Sequence, residues 1–571
     1  MNATATVSPT WYSEVLPLLT TKVAARQLDV NYRFSNVSIR DQMVRAQMVV
    51  KALISTGVLR SGERAKVRGA RPHFQLAIFG AGIAGIAAAM QAEKEGIRFV
   101  LVDNAKAPSG ILKSKAQRYV SAAMYEWPHE NFRAHEFPLA TPPLLAHQQT
   151  DWAIAFKVAA PLLIEDFANE FLRRPYPGTG KSVDEHLSDW RTNHLHKLDG
   201  NWLIDESHLS KDSKARLRKM LAPDESMTGS RIDDQQPIPL TLQPNGQRLT
   251  VDYTIYAVGF GHESATYSPS APAAAAPDFV SFWEPDQLLE NRLGTKAAAS
   301  RATALIVGAG DGALQDALRC MVNPDLAKHP LEIWSWLTSA APPEMKGVPH
   351  SRLSGMKRHD LSANPDLLNA LRRIAAIDGY TTMGMLWVDN KEAFKRLDAE
   401  VVAVINGLPT ALRQQLADNF SSIARTDVQR VTILRPDDCF TKAYALNRFL
   451  VYLLHVILPE GGAPYLAIRE GTLQDVQGNA SAPNEAPRQV QILVATTIEH
   501  RAYDRVVIRI GVDRSMYQKI GLSGRNSGRI ELGRIPPPIV PVTDPAQDGV
   551  AGSGNLESET LISPAISELA T

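Results

Sequence analysis

Gly80, Gly82 and Gly85, followed about 20 residues on by Asp103, form a spacing that does its chemistry through the backbone. A tight turn at the first glycine, a close phosphate approach at the second and close helix–strand packing at the third together seat the pyrophosphate of a dinucleotide. An acidic residue at the end of the next strand accepts hydrogen bonds from a ribose diol. The surrounding residues agree. QLAIFGAGIAGIAAAMQAEKEGIRFVLVD reads as an apolar strand (Leu76 to Phe79), a glycine turn, a helix and a second strand ending at Asp103. The helix N-terminus brings unsatisfied N–H groups and the positive end of its dipole to the phosphates. Ala89 and Gly96 fall where such a helix lies close to the sheet and then stops.

The stretch TALIVGAGDGALQDALR repeats the design with Gly308, Gly310 and Ala313, alanine being an accepted third residue. Duplication implies two dinucleotides, or one dinucleotide and a vestigial site. The run LEIWSWL (Leu331 to Leu337) is the next apolar segment and is predicted to be the second strand of this unit. It ends with neither the acid that selects NAD nor an adjacent Arg for the 2′-phosphate of NADP. A further echo joins the two halves: VDYTIYAVGFG and YDRVVIRIGVD each place an Asp ahead of a Gly at the end of an apolar strand, Asp252 with Gly259 and Asp504 with Gly511.

The elements that must position these turns come from a long chain. At 571 residues two large domains with appendages are expected. A formal net charge of +1 and the lack of a basic run argue against nucleic acid or an anionic membrane as partner. No basic n-region with an apolar core and cleavage site opens the chain, and no run reaches the length that spans a bilayer, so a cytoplasmic protein acting on a small molecule is expected. Cys320 and Cys439 stand far apart, which excludes a disulfide framework and any Cys-x-x-Cys pair. Residues 1 to about 36 show no period, and Ser38 to Leu59 reads as an amphipathic helix packed on the first dinucleotide domain. The Pro/Ala/Ser-rich SATYSPSAPAAAAPDF (Ser264 to Phe279) marks a linker, and the tail after Ile535 has too little apolar surface to order. Between Leu337 and Arg488 helical periods recur at Asp366 to Ile377, Lys391 to Asn406 and Tyr444 to Leu458.

Two motifs are decoys. GTGKS (Gly178 to Ser182) has Pro175 where a phosphate loop needs glycine, and His194 with His196 has no convergent third ligand.

The paired glycine turns and the Asp252/Gly259 and Asp504/Gly511 strands resemble the two-dinucleotide-domain flavoproteins, the superfamily of thioredoxin reductases, ferredoxin reductases and flavin monooxygenases. The resemblance covers about 75 to 105, 250 to 262, 303 to 318 and 504 to 512, and implies FAD at the first turn and NAD(P)H at the second, with Gly259 and Gly511 beside the cofactors. It further implies a chain that leaves the FAD domain through one glycine-ended strand and returns through the other. The disulfide-reductase branch is excluded by the missing Cys pair, and the late Gly-Asp turn of the family is absent after Gly511. In SGILKSKAQRYVSAAMYEWPHENFRAHEFP (Ser109 to Pro138), Arg118 is a candidate for the FAD pyrophosphate or a flavin carbonyl. Tyr125 and Trp127 are candidates to flank a ring, and His129 is a candidate acid or base. His262 and Glu263 follow a strand end where ligand crevices form.

The expected architecture is α/β, with two Rossmann-like dinucleotide-binding domains on parallel sheets, the second inserted in the first, plus a helical insert. Its divisions are a helical extension (1–70), the first part of the FAD domain (71–262), a linker (263–300), an NAD(P)-binding-like domain with the insert (301–512), a return (513–535) and a disordered tail (536–571). The expected function is an FAD-dependent oxidoreductase carrying hydride from NAD(P)H to flavin and on to a small substrate or oxygen. An amine or amino-acid oxidase without nicotinamide, and a non-catalytic nucleotide-binding protein, remain as alternatives; the catalytic residues, substrate and oligomeric state are unread.

Overall fold

A computed structural model describes residues 21–30, 39–60, 73–103, 195–204, 238–258, 301–340, 358–477 and 486–510, with short gaps, and a few single positions between them. The protein is mixed α/β, built on parallel sheets. β3 (His73–Phe79) and β4 (Phe99–Asp103) are apolar on both faces and pair in parallel, as strands buried on both sides must. The crossover between them is α2 (Ile83–Lys94), whose Ala87, Ala88 and Ala89 are fully buried, so small side chains let the helix lie close to the sheet. α1 (Ile39–Ser55) packs against α2 and buries Met43, Met48, Val49 and Leu53, the stripe its period predicts.

The stretch without a period supplies strands instead: β1 (Thr21–Ala24) and β2 (Gln27–Asp29), the latter pairing in parallel with β8 (Gln247–Tyr256). With the hairpin partners β5 (Leu195–Leu198), β6 (Asn201–Ile204) and β7 (Ile238–Leu242), the sheet runs β1-β2-β8-β3-β4-β6-β5, with β7 on β8. β8 lies on the opposite side of β3 from β4, so the chain reverses its direction of travel across the sheet at the end of β3. That is the switch point where open α/β sheets bind ligands.

The second unit has four parallel strands, β9 (Ala302–Val307), β10 (Val428–Arg435), β11 (Tyr465–Glu470) and β15 (Arg505–Ile508), in the order β11-β10-β9-β15. This places its switch point between β9 and β15. Alternation divides the strand side chains. Ala304, Ile306, Val431 and Ile433 face α3 (Asp311–Met321) and α8 (Ala445–Ile457). Leu305, Val307, Leu434, Val506 and Ile508 face an antiparallel meander of β12 (Thr472–Gln477), β13 (Arg488–Val494) and β14 (Thr497–Tyr503). The helical insert, α4 (Pro330–Thr338), α5 (Pro365–Trp387), α6 (Lys391–Asn406) and α7 (Thr410–Ser421), lies between α3 and β10.

The structure corrects three expectations. LEIWSWL is a helix, α4: Pro330 opens its first turn, His329 accepts from the Glu332 N–H, and Glu332 lies at the positive end of the dipole. The Asp504 strand is no return to the first sheet, because β15 pairs with β9 throughout its length. Each closing strand instead belongs to its own unit, and each Asp ties it to the start of that unit's first strand: Asp252 to His73 at 3.2 Å, Asp504 to the Thr303 N–H at 2.7 Å. The linker is packed at its far end, since Phe282, Leu288 and Leu293 are buried against the second unit and Leu293 donates to Asp427 at 2.8 Å. Residues 513–571 lie outside the described residues. Among the described residues no helix is long and apolar enough to cross a membrane.

Candidate dinucleotide sites

At the first turn the three glycines have different tasks. Gly80 has φ +104°, and a Cβ on it would lie 2.3 Å from the Ala257 carbonyl oxygen of the neighbouring strand's end. On Gly85 a Cβ would lie 1.7 Å from the Gly80 oxygen, so helix and turn touch backbone to backbone. Gly82 is unlike both: its backbone is extended, it caps α2 with no side chain, and among the described residues a Cβ would meet nothing within 4 Å. Steric crowding by the described residues does not explain this glycine, and the space in front of it leaves the free N–H groups at the start of α2 open to approach. Asp103 reaches into this turn, its Oδ2 accepting the Ala81 N–H at 2.5 Å. A carboxylate has lone pairs for more than one such donor, so this bond is compatible with a ribose hydroxyl.

The second turn repeats the frame. Gly308 has φ +148°, and a Cβ there would lie 2.2 Å from the Arg509 carbonyl oxygen, as Gly80 meets Ala257. Gly310 caps α3 in extended conformation, as Gly82 caps α2. Ala313 stands where Gly85 stands, its methyl 3.2 Å from a Cβ on Gly308. Strand register completes the match: Phe79 pairs Val102 and Val307 pairs Leu434, so the position of Asp103 is held in the second unit by Arg435. Arg435 donates to the Tyr452 hydroxyl at 3.0 Å and to Asp398 of the insert at 3.4 Å, and lies over the Phe440 ring. Among the described residues its buried Nε has no hydrogen-bond partner. Asp398 also accepts from Arg448, from the Phe440 N–H and from Tyr452, whose hydroxyl burial pushes up.

No family model matches the chain, and no curated protein matches it. Among solved structures it is similar to the thioredoxin reductase of T. acidophilum, at 10% identity over 77% of this chain and 77% of that one, with a TM-score of 0.26. A lysine monooxygenase, NbtG from Nocardia farcinica, matches at 10% identity over 78% and 83%, TM-score 0.28. A cyclohexanone monooxygenase mutant from Rhodococcus sp. Phi1 bound to NADP+ matches at 12% over 77% and 72%, TM-score 0.27. Scores this low leave the reading of both turns to their own geometry.

The second turn differs from the first in charge. Asp311, in the first turn of α3 where α2 has Ile83, accepts from the Tyr444 N–H at 3.0 Å, from Asn447 at 2.6 Å and from Gln315 at 2.9 Å, which ties α3 to the start of α8. Burial pushes its carboxyl up from 3.8 to about 6, against the opposing pull of these donors and of Arg448. A carboxyl whose pKa rises on folding holds its proton more tightly in the folded chain, so it adds stability as pH falls through about 6 and has given all of it below about 4. At 1.36 kcal/mol per pH unit, discounted for partial exposure, the gain is about 1–2 kcal/mol. Asp311→Asn fixes the neutral state, its Oδ1 still accepting from Tyr444 and Asn447 while the Gln315 amide turns its oxygen to the new Nδ2, and is expected to exceed the wild type by that amount in urea unfolding at about pH 8 and to match it near pH 4. A variant equally destabilised at both pH values would contradict this.

Of the other sequence candidates, Trp127 is 8% exposed and packed between Trp334 of α4 and Phe449 of α8, so its faces are taken by protein. Arg118, Tyr125, His129, Gly259, His262, Glu263 and Gly511 lie outside the described residues. Sequence reasoning missed Arg435, because the strand it ends was assigned to the segment that forms α4. Pro330, with His329 and Glu332 around it, was the available signal.

Proposed function

We propose that the chain is an FAD-dependent oxidoreductase that takes hydride from NADPH and passes reducing equivalents to a small substrate or to oxygen. The observation that carries the reading is the contrast at the first turn: backbone fills the space at Gly80 and Gly85, and no described residue fills it at Gly82. Val258 (50% exposed) and Ile510 (49% exposed) add to it. Each follows the residue whose carbonyl faces its unit's first glycine, and they are two of the three large exposed apolar residues among those described. Apolar side chains at the mouths of two matched crevices suit flat ring systems.

FAD, when bound, supplies the hydride acceptor. The protein's own residues would bind and orient it: the N-terminal N–H groups of α2 would meet the pyrophosphate, and Asp103, which holds the Ala81 N–H, would take a ribose hydroxyl. In the second unit the Arg435 guanidinium stands where the first unit has the Asp103 carboxylate. Such a group favours the 2′-phosphate of NADPH over a bare diol.

A charge-assisted contact to phosphate contributes about 1.5–3 kcal/mol, so Arg435→Ala is expected to raise the KM for NADPH at least about tenfold. The KM for NADH should stay within about twofold, since its diol gains nothing from the guanidinium. An equal loss for both would remove Arg435 from the nucleotide site. Anaerobic addition of NADPH to the purified yellow protein tests the whole sequence of transfers. Bleaching supports it, a yellow protein reduced only by an amine or amino acid supports the oxidase reading, and a colourless one supports a binding protein without turnover.

A further inference from the structure

Met124 and Trp127 belong to the chain between β4 and β5, both strands of the first sheet, yet they are seated in the second unit. Met124 is fully buried, and its sulfur lies 4.0 Å from Nε2 of Gln315 in α3, the nitrogen that also donates to Asp311. The Trp127 ring meets Trp334 of α4 edge-on at 5.3 Å and Phe449 of α8 at 5.4 Å, and those two rings meet each other at 5.9 Å. Met124 and Trp127 share one apolar cluster with Met43 of α1 and Ala88 of α2 and with Leu314, Ile333 and Phe449 of the second unit. A bulky aromatic on the chain between two strands of the first sheet, held by two aromatics of the second unit, resists relative rotation, because turning would pull the ring from its packed slot.

We propose that Met124 and Trp127 pin the two dinucleotide units into one rigid body, with Trp127 a positioning residue that fixes the orientation of one crevice to the other. The mechanical half of this needs no cofactor; its catalytic consequence rests on the FAD reading. Under that reading a hydride leaves reduced nicotinamide, which is oxidised, and reduces the flavin, and this transfer proceeds without a swing of one unit against the other.

Calorimetric unfolding of the full-length chain tests the pin. The wild type should melt in one transition, Trp127→Ala in two, and Trp127→Phe, which keeps a ring in the slot, in one. Should Trp127→Ala fail to fold, Trp334→Ala opens the same contact from the other side and is read in the same way. A wild type that melts in two steps, or an alanine variant that melts in one at whatever temperature, overturns the proposal. The catalytic half is read by anaerobic rapid mixing with NADPH. Trp127→Ala should keep its flavin content and NADPH affinity while flavin reduction slows at least about tenfold, the scale of a misplaced donor. Wild-type reduction should not change with added sucrose, whereas slowing in proportion to viscosity would contradict a fixed arrangement. A colourless protein removes the FAD reading alone and leaves calorimetry to decide the pin.

Discussion

Gly82→Val is expected to give a folded, colourless protein. The backbone at Gly82 is extended, with φ −78° and ψ −173°, a conformation any residue adopts, and no described residue lies within 4 Å in its Cβ direction. Folding therefore loses only the difference between glycine and a poor N-cap, about 1 kcal/mol. Under the proposed FAD site the bound state would lose far more, because the added isopropyl group would stand between the pyrophosphate and the N–H groups of α2. Every 1.4 kcal/mol of that clash weakens FAD tenfold, and retained flavin should fall below about a tenth of the wild-type content. Flavin content and urea unfolding of the apoprotein check the two halves separately. Full flavin retention would show that Gly82 faces solvent and not a ligand.

Gly85→Ala should do the reverse and damage the fold before any ligand is considered. Its methyl would sit 1.7 Å from the Gly80 oxygen and 2.9 Å from the Gly80 carbon, both backbone atoms of the turn itself. Relief requires α2 to lift from β3, which strips contacts from a helix whose Ala87, Ala88 and Ala89 are packed without exposure. Overpacking of side chains costs about 1–3 kcal/mol, and a clash with fixed backbone belongs at or above the top of that range, about 3 kcal/mol or more. The second unit is the internal control, because Ala313 already occupies the equivalent position beside Gly308. Ala313→Gly should accordingly change stability by about 1 kcal/mol, the intrinsic cost of glycine in a helix. Urea midpoints of the two variants measure the contrast, and a Gly85→Ala protein as stable as the wild type would contradict the packing described at the turn.

The features legible in the chain were the local ones. Gly80, Gly82, Gly85 and Asp103 lie within one strand–helix–strand unit, so their spacing fixes their geometry, and the same holds for Gly308, Gly310 and Ala313. Pairing across the insert was not legible. Leu331 to Leu337 is an apolar run too short for its period to separate strand from helix, and reading it as a strand hid β10 and with it Arg435. The echo of Asp252 and Asp504 was correctly seen as duplication, but its meaning depended on which sheet the second strand joins, and backbone pairing decides that. Trp127 carried the residue type of a ring-flanking group, and only its tertiary neighbours Trp334 and Phe449 show it to be spent on packing. Phe282, beyond a proline- and alanine-rich stretch, gave no sign in sequence that it would lie against Gly312.

Whether the first glycine turn holds FAD is decided by the visible absorption spectrum of the purified wild-type protein, followed by denaturation and identification of the released compound. The two bands of oxidised flavin, with FAD released in about one equivalent per chain, are expected for a resident cofactor. A colourless protein that neither takes up added FAD nor gains thermal stability from it would contradict the account.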